Sequence, residues 1–124
     1  MKRLVLAAAA LLTLVTASAT TEPAAHALPP RWGAVAYSDS TGWFGIAWDS
    51  PTLADAVAAA KDKCRYSDCR YVFSWKNGCM AIAKGSGGIA FGSAFSQPVA
   101  DRMARTKAGP DAYVIKQACT RSTY

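Results

Sequence analysis

The sequence is poor in the residues on which much enzyme chemistry depends. It contains one histidine and one glutamate in 124 residues, and both lie near the N-terminus, at His26 and Glu22. Residues 28–124 therefore contain neither type. For that part of the chain this excludes a Ser-His-Asp triad, a Cys-His dyad, a histidine-ligated metal and acid/base catalysis by glutamate.

The sequence also lacks an apolar run long enough for a membrane span. The run Leu4–Val15 has 12 residues, whereas a spanning helix needs about 20. It follows the cationic start Met1-Lys2-Arg3 and precedes small residues, which is the order of a secretory signal peptide. Small-x-small cleavage sites occur at Ala17-Ser18-Ala19 and Ala25-His26-Ala27. We favour the second and predict a signal peptide at residues 1–27, with the earlier site as the alternative.

Removal of this segment leaves 97 residues with 12 basic and seven acidic side chains. That length supports one exported domain, at residues 28–124. We expect a secreted or envelope-associated monomer without a transmembrane anchor. The excess of positive charge favours an anionic envelope ligand or an unknown protein as the partner. Nucleic acid is not expected, because no nucleic-acid-binding motif is present.

Four cysteines lie in the predicted mature region: Cys64, Cys69, Cys79 and Cys119. An even number in a small exported domain indicates two disulfides, and the spacing alone does not choose among the three pairings. A zinc site is the alternative. Zinc sites favour close Cys-x-x-Cys pairs, which are absent here, so we predict no metal and no cofactor.

The chain carries an internal duplication. Two pairs of segments lie 47 positions apart, Ala34–Ala36 with Ala81–Ala83 and Phe44–Trp48 with Phe91–Phe95. A later pair, Tyr71–Phe73 with Tyr113–Ile115, lies 42 apart, which places a loss of five residues near Cys64–Cys69. Coincidence in a chain rich in alanine and glycine is the alternative explanation.

Each copy has the pattern of two strands, a helix and a third strand. The predicted strands are Gly33–Ser38, Phe44–Asp49, Arg70–Lys76, Cys79–Lys84, Ile89–Phe95 and Ala112–Ala118, and the predicted helices are Thr52–Lys63 and Pro98–Lys107. Asn77-Gly78 is typical of a type I′ turn and predicts a hairpin between the third and fourth strands. The prediction is an α+β fold of six strands and two helices. In it, two pseudo-symmetric repeats, 32–78 and 79–119, pack as an internal dimer.

The order of several motifs resembles a known family. These are Trp32–Ser38, the Ala-rich helix that ends in Cys64, Asp68–Val72, Asn77–Ala83 and Ala118-Cys119. Together they resemble the bacterial domain-of-unknown-function family numbered 4189, over about residues 32–119. The resemblance implies a small exported protein, common in mycobacteria and their relatives, without an agreed enzymatic activity. It also implies the disulfides Cys64–Cys69 and Cys79–Cys119.

Basic and aromatic residues are the candidate contact surface. Arg102, Arg105 and Lys107 cluster on the second predicted helix, and Lys61 and Lys63 lie at the end of the first. Trp43 lies at a predicted turn, where an aromatic side chain can be exposed. The alternative is an ordinary solvated face that keeps the protein soluble.

No catalytic residue is predicted. The seven mature acids are all aspartates and are spread singly along the chain: Asp39, Asp49, Asp55, Asp62, Asp68, Asp101 and Asp111. The sequence therefore favours a non-enzymatic, disulfide-stabilised binding protein that acts at the cell envelope or on a host component. An inhibitor of a secreted enzyme is one alternative. The other is an unusual Asp/Lys-dependent hydrolase, which requires a pocket that holds at least two aspartates.

Overall fold

The computed structural model describes residues 30–120, so the predicted signal peptide and its cleavage sites lie outside the described residues. Eight elements follow one another along the chain. They are β1 (Trp32–Tyr37), β2 (Phe44–Ser50), α1 (Leu53–Cys64), β3 (Arg70–Lys76), β4 (Cys79–Gly85), β5 (Gly88–Ala94), α2 (Gln97–Ala108) and β6 (Tyr113–Cys119). The predicted α+β class with its strand-strand-helix-strand repeat is confirmed.

The six strands form two separate antiparallel sheets of three strands, in the orders β2-β1-β3 and β5-β4-β6. The first strand of each unit is therefore central and has both edges paired. The predicted hairpin at Asn77-Gly78 is wrong, because no edge of β4 is left for β3. Asn77 does adopt the left-handed backbone that the turn motif requires, with φ 49°. The chain uses that bend to cross from one sheet to the other.

Small residues line the contact between each helix and its sheet. In β1, Ala34 and Ala36 face α1, while Val35 between them faces the opposite sheet. Each helix buries a stripe of small residues with a spacing of four, namely Ala56, Ala60 and Cys64 in α1 and Ala100, Ala104 and Ala108 in α2. A side chain at Gly45 would overlap the backbone of α1. These short side chains let the helices lie directly on their sheets.

Larger side chains fill the space between the two sheets. Val35, Trp75, Met80 and Ile82 are buried there. The Phe73 ring of the first sheet stacks on the Phe91 ring of the second, with centroids 5.1 Å apart. The layers are thus helix, sheet, sheet and helix, and the two helices lie on opposite outer sides of the molecule.

The two units share a β-bulge at the same place. The pairing of β1 with β3 shifts between Val35 and Ala36, and that of β4 with β6 shifts between Ile82 and Ala83. These positions lie 47 apart, as the first segment of the alignment predicts.

Beyond the first strand the constant offset of 47 is wrong. The offset is 45 in the second strands, 44 in the helices and 43 in the third strands, as the pairs Ile46 and Phe91, Ala56 and Ala100, and Tyr71 and Val114 show. The residues missing from the second unit are therefore spread over three connections and are not confined to Cys64–Cys69.

Two disulfides join the ends of elements. Cys64–Cys69 ties the end of α1 to the loop before β3. Cys79–Cys119 joins the start of β4 to the end of β6, its neighbour in the sheet. These are the pairings that the family resemblance implies.

Candidate binding surface

Asp68 fixes the loop between β1 and β2. The buried Ser38 hydroxyl donates a hydrogen bond to its Oδ1 (2.7 Å), and the Ser40 backbone N–H donates one to its Oδ2 (2.9 Å). Thr41 Oγ1 donates in turn to Ser38 Oγ at 2.8 Å. The Ser38 bond, followed by those from Ser40, lowers the pKa of Asp68 to about 2. This carboxylate is a structural anchor for the loop.

Asp111 has the corresponding role in the second unit. The backbone N–H and the hydroxyl of Ser86 both donate to Asp111 Oδ1, at 3.0 and 2.9 Å. The backbone bond is the larger cause of a lowered Asp111 pKa, and the hydroxyl bond adds to it. In both units an aspartate after the helix therefore holds the first hairpin turn.

Other aspartates are also engaged in local structure. Arg70 binds Asp39 through two hydrogen bonds, at 2.7 and 3.2 Å, and the first of these lowers the pKa of Asp39. Asp101 accepts hydrogen bonds from the amides of Gln97 and Gln117, each at 2.7 Å. Within residues 30–120, no three histidine, cysteine or acidic side chains come together in a group that could hold a metal ion.

An open depression of about 230 Å³ lies beside the crossover between the sheets. Its lining residues are Trp75, Lys76, Asn77, Gly78, Cys79, Ser93, Ala94 and Phe95. Trp75 Nε1 donates a hydrogen bond to the Gly78 carbonyl at 3.1 Å, so the indole is fixed. None of the lining residues is an aspartate, so this depression does not provide the pair that the hydrolase alternative requires.

Trp43 and the lysines of α1 lie at one end of the first unit. Trp43 is 54% exposed, and its carbonyl oxygen lies 3.7 Å from the Cys64 sulfur at the end of α1. Lys61 and Lys63 are exposed on the last turn of that helix. The Lys63 ammonium lies 4.5 Å from the centre of the exposed Trp48 ring, a distance typical of a cation–π contact.

Arg102, Arg105 and Lys107 are exposed on α2. Because α1 and α2 occupy opposite outer layers, the structure does not bring these residues together with Trp43, Lys61 and Lys63. The candidate contact surface of the sequence is therefore divided into two parts, one on each unit.

Three exposed apolar residues accompany the basic residues of α2. Val99 and Met103 are 36% and 38% exposed, and they border the stripe of buried alanines on the side of β5, where a side chain at Gly92 would overlap the Met103 Cβ. Phe95, just before the N-cap Ser96, is 92% exposed. We call Phe95, Val99, Arg102, Met103, Arg105 and Lys107 the α2 face.

Sequence reasoning misses the apolar part of this face for a physical reason. A spacing of four between Val99 and Met103 normally indicates the buried side of a helix. Here the fully buried stripe consists of alanines, and Val99 and Met103 lie at its border, partly exposed. The alanines at 100, 104 and 108 are the sequence signal that marks the buried side of α2.

No helix among residues 30–120 has the length and apolar character needed to cross a membrane.

Comparisons with known proteins agree with this architecture. A family profile described as "Domain of unknown function (DUF4189)" matches residues 32–119, which include both units and all four cysteines. The chain is 38% identical over 88 residues to Protein Rv1269c of Mycobacterium tuberculosis and to Protein Mb1300c of Mycobacterium bovis, spanning 71% of this chain and 68% of each of theirs. The NMR structure of Rv1813c from Mycobacterium tuberculosis is similar, with a TM-score of 0.59 and 26% identity, over 73% of this chain and 75% of that one.

Proposed function

The chain belongs to the domain-of-unknown-function family DUF4189, and on that premise we propose that it is an exported, non-enzymatic binding protein that contacts its target through the α2 face. The target lies at the cell envelope or on a host component. Export is supported by the N-terminal signal pattern and by the two disulfides, which form in oxidising compartments.

The single observation that carries the proposal is the exposed apolar row Phe95, Val99 and Met103 amid three cations. Single exposed apolar residues are ordinary on a protein surface, whereas an apolar group rimmed by polar residues marks an interaction site. The four-residue spacing places Val99 and Met103 on one side of α2, and Phe95 lies just before the extended N-cap residue Ser96.

The roles found for the aspartates support a function without catalysis. Asp39, Asp68, Asp101 and Asp111 each hold a loop or a helix through hydrogen bonds to neighbouring residues. A general acid or base must instead be within hydrogen-bond reach of a substrate.

Co-sedimentation of oxidised residues 28–124 with cell envelope from the source organism tests the proposal. The variant carries R102Q, R105Q and K107Q, and the matched control carries K61Q and K63Q on the last turn of α1. We expect salt-sensitive binding that the α2 variant loses and the α1 variant retains. Equal binding by the two variants, or turnover of a defined substrate that one Asp→Asn change abolishes, would overturn it.

A further inference from the structure

We propose that the α2 face docks on an anionic phospholipid bilayer, with α2 parallel to the surface and Phe95 inserted beneath the headgroups. This inference rests on the proposed role of the α2 face and adds the chemistry of its target.

The arrangement of side chains around α2 is that of an interfacial helix. With 3.6 residues per turn, Val99 and Met103 lie about 120° around the helix from the middle of the buried alanine stripe. Arg102 and Arg105 fall on one side of them, and Lys107, whose ammonium donates a hydrogen bond to the Phe91 carbonyl at 3.3 Å, falls on the other. An apolar strip between cationic margins lets the strip enter the acyl boundary while the cations meet lipid phosphates.

Within residues 30–120, no carboxylate forms an ion pair with these cations on the outer side of α2. Asp101 is the acidic residue of the helix, and the amides of Gln97 and Gln117 hold it on the inner side against the sheet. The α2 face therefore combines three positive charges with no negative one, which is complementary to an anionic surface.

The first unit shows that the fold does not require this surface. At the offset of 44 that relates the helices, Asp55 of α1 stands where α2 has Val99, and Asp62 stands where α2 has Thr106. Pro51 occupies the place of Phe95. The outer side of α1 is therefore neutral, with Asp55 and Asp62 balancing Lys61 and Lys63.

The start of α2 also lacks two stabilising features that are present at the start of α1. Thr52 caps α1 by accepting a hydrogen bond from the Asp55 backbone N–H, and Asp55 supplies a negative charge in the first turn. Ser96 makes no such side-chain bond, and the first turn of α2 has no acidic residue. Since a capping bond and an N-terminal acid both stabilise a helix, their absence next to Phe95 and Val99 favours a role for this end in contact.

The apolar row distinguishes a bilayer from other anionic partners. A charged wall polymer would neutralise the arginines but would leave Phe95 in water. A bilayer accepts both, because it presents phosphates above an apolar layer.

Vesicle co-sedimentation with oxidised residues 28–124 tests the inference. The vesicles contain either equal parts of phosphatidylcholine and phosphatidylglycerol or phosphatidylcholine alone. We expect binding to the anionic vesicles only, weakened at high salt. Loss of the three cations should lower the partition coefficient on the order of 100-fold, and F95A should lower it roughly tenfold or more.

A transplant from α1 separates binding from folding. V99D with T106D gives α2 the acids that α1 already carries at the same places, so the helix should still form, and the pair should abolish vesicle binding. The K61Q/K63Q variant should bind as the wild type does. Circular dichroism of each variant verifies that the fold is retained.

The outcomes separate the two proposals. If anionic vesicles are not bound, or are bound equally by the V99D/T106D variant, the lipid inference fails. If envelope binding is nevertheless lost in the α2 cation variant, the α2 face acts on a protein or a polymer and the proposed function stands. If envelope binding is also indifferent to the α2 variant, both proposals fail.

Discussion

The two units of the molecule differ most at the outer faces of their helices and least at the inner ones. Both helices bury small residues with a spacing of four against sheets that carry the same bulge. Their outer sides have diverged into a neutral face on α1 and a cationic, apolar face on α2. The helix residues that pack on the sheets are constrained by close packing, whereas the residues on the outer sides can change without disturbing that packing. We therefore expect the functional surface to lie where the two units differ.

The largest effect on stability is expected from the difference between the two disulfides. Cys79–Cys119 closes a loop of 40 residues and Cys64–Cys69 one of five. The chain-entropy relation gives about 4 kcal/mol for the first and about 2 kcal/mol for the second. We therefore expect C79A/C119A to lower the free energy of unfolding by more than C64A/C69A does. Urea unfolding of the two double variants measures this, and an equal or reversed order would contradict it.

A smaller difference is expected in the response of the two hairpin turns to acid. The lowered pKa of Asp68 means that the fold favours its carboxylate form. Its contribution to stability is therefore complete above the ordinary value of 3.8 and is lost as the pH falls towards 2. Asp111, with two bonds from Ser86, should follow the same direction.

Substitution of each aspartate by asparagine distinguishes the contributions of the two turns to stability in acid. D68N should flatten the fall in the free energy of unfolding between about pH 4 and pH 2 more than D111N does, because Asp68 receives bonds from two residues. Asp39, bound to Arg70, contributes in the same direction in both variants. Urea titrations at several pH values provide the measurement. If the free energy of unfolding of D68N fell with pH as it does in the wild type, the hydrogen bonds of Asp68 would not be the cause of that fall.

The smallest expected difference concerns the helix caps. T52A removes the hydrogen bond from the Asp55 N–H to the Thr52 hydroxyl and should cost about 1 kcal/mol. S96A removes a side chain that makes no capping bond and should cost much less. Thermal unfolding of the two variants measures the difference. A larger loss of stability in S96A than in T52A would contradict the prediction that only Thr52 makes a capping bond.

Local sequence patterns predicted the elements because each pattern is satisfied within its own segment. The predicted strand Arg70–Lys76 coincides with β3, and the predicted helix Pro98–Lys107 matches α2 to within one residue at each end. The structure moves the start of the first helix by one residue, to Leu53, with Thr52 as the cap. β2 extends to Ser50, which pairs with Trp32.

Relations between segments were predicted less well because they depend on which strand edges are free. Asn77-Gly78 has the local signal of a hairpin, but β5 and β6 occupy both edges of β4. The predicted offsets of 47 and then 42 failed beyond the first strands, because short losses in several loops leave local similarity intact while the register changes. The exposure of the apolar part of the α2 face was not predicted, because composition alone does not show which side of a helix meets the sheet.

The crossover at Asn77 and Gly78 has a consequence for the order of the units along the chain. Arg31 exchanges hydrogen bonds with Asn77, and Thr120 exchanges them with Gly78, each at 2.8 or 2.9 Å. The two flanks of the folded region therefore meet at the same junction that links the units. A circular permutant that is joined from Thr120 to Arg31 and opened between Asn77 and Gly78 would place the second unit first. It would retain every strand pairing, because each sheet is built from one uninterrupted stretch of chain.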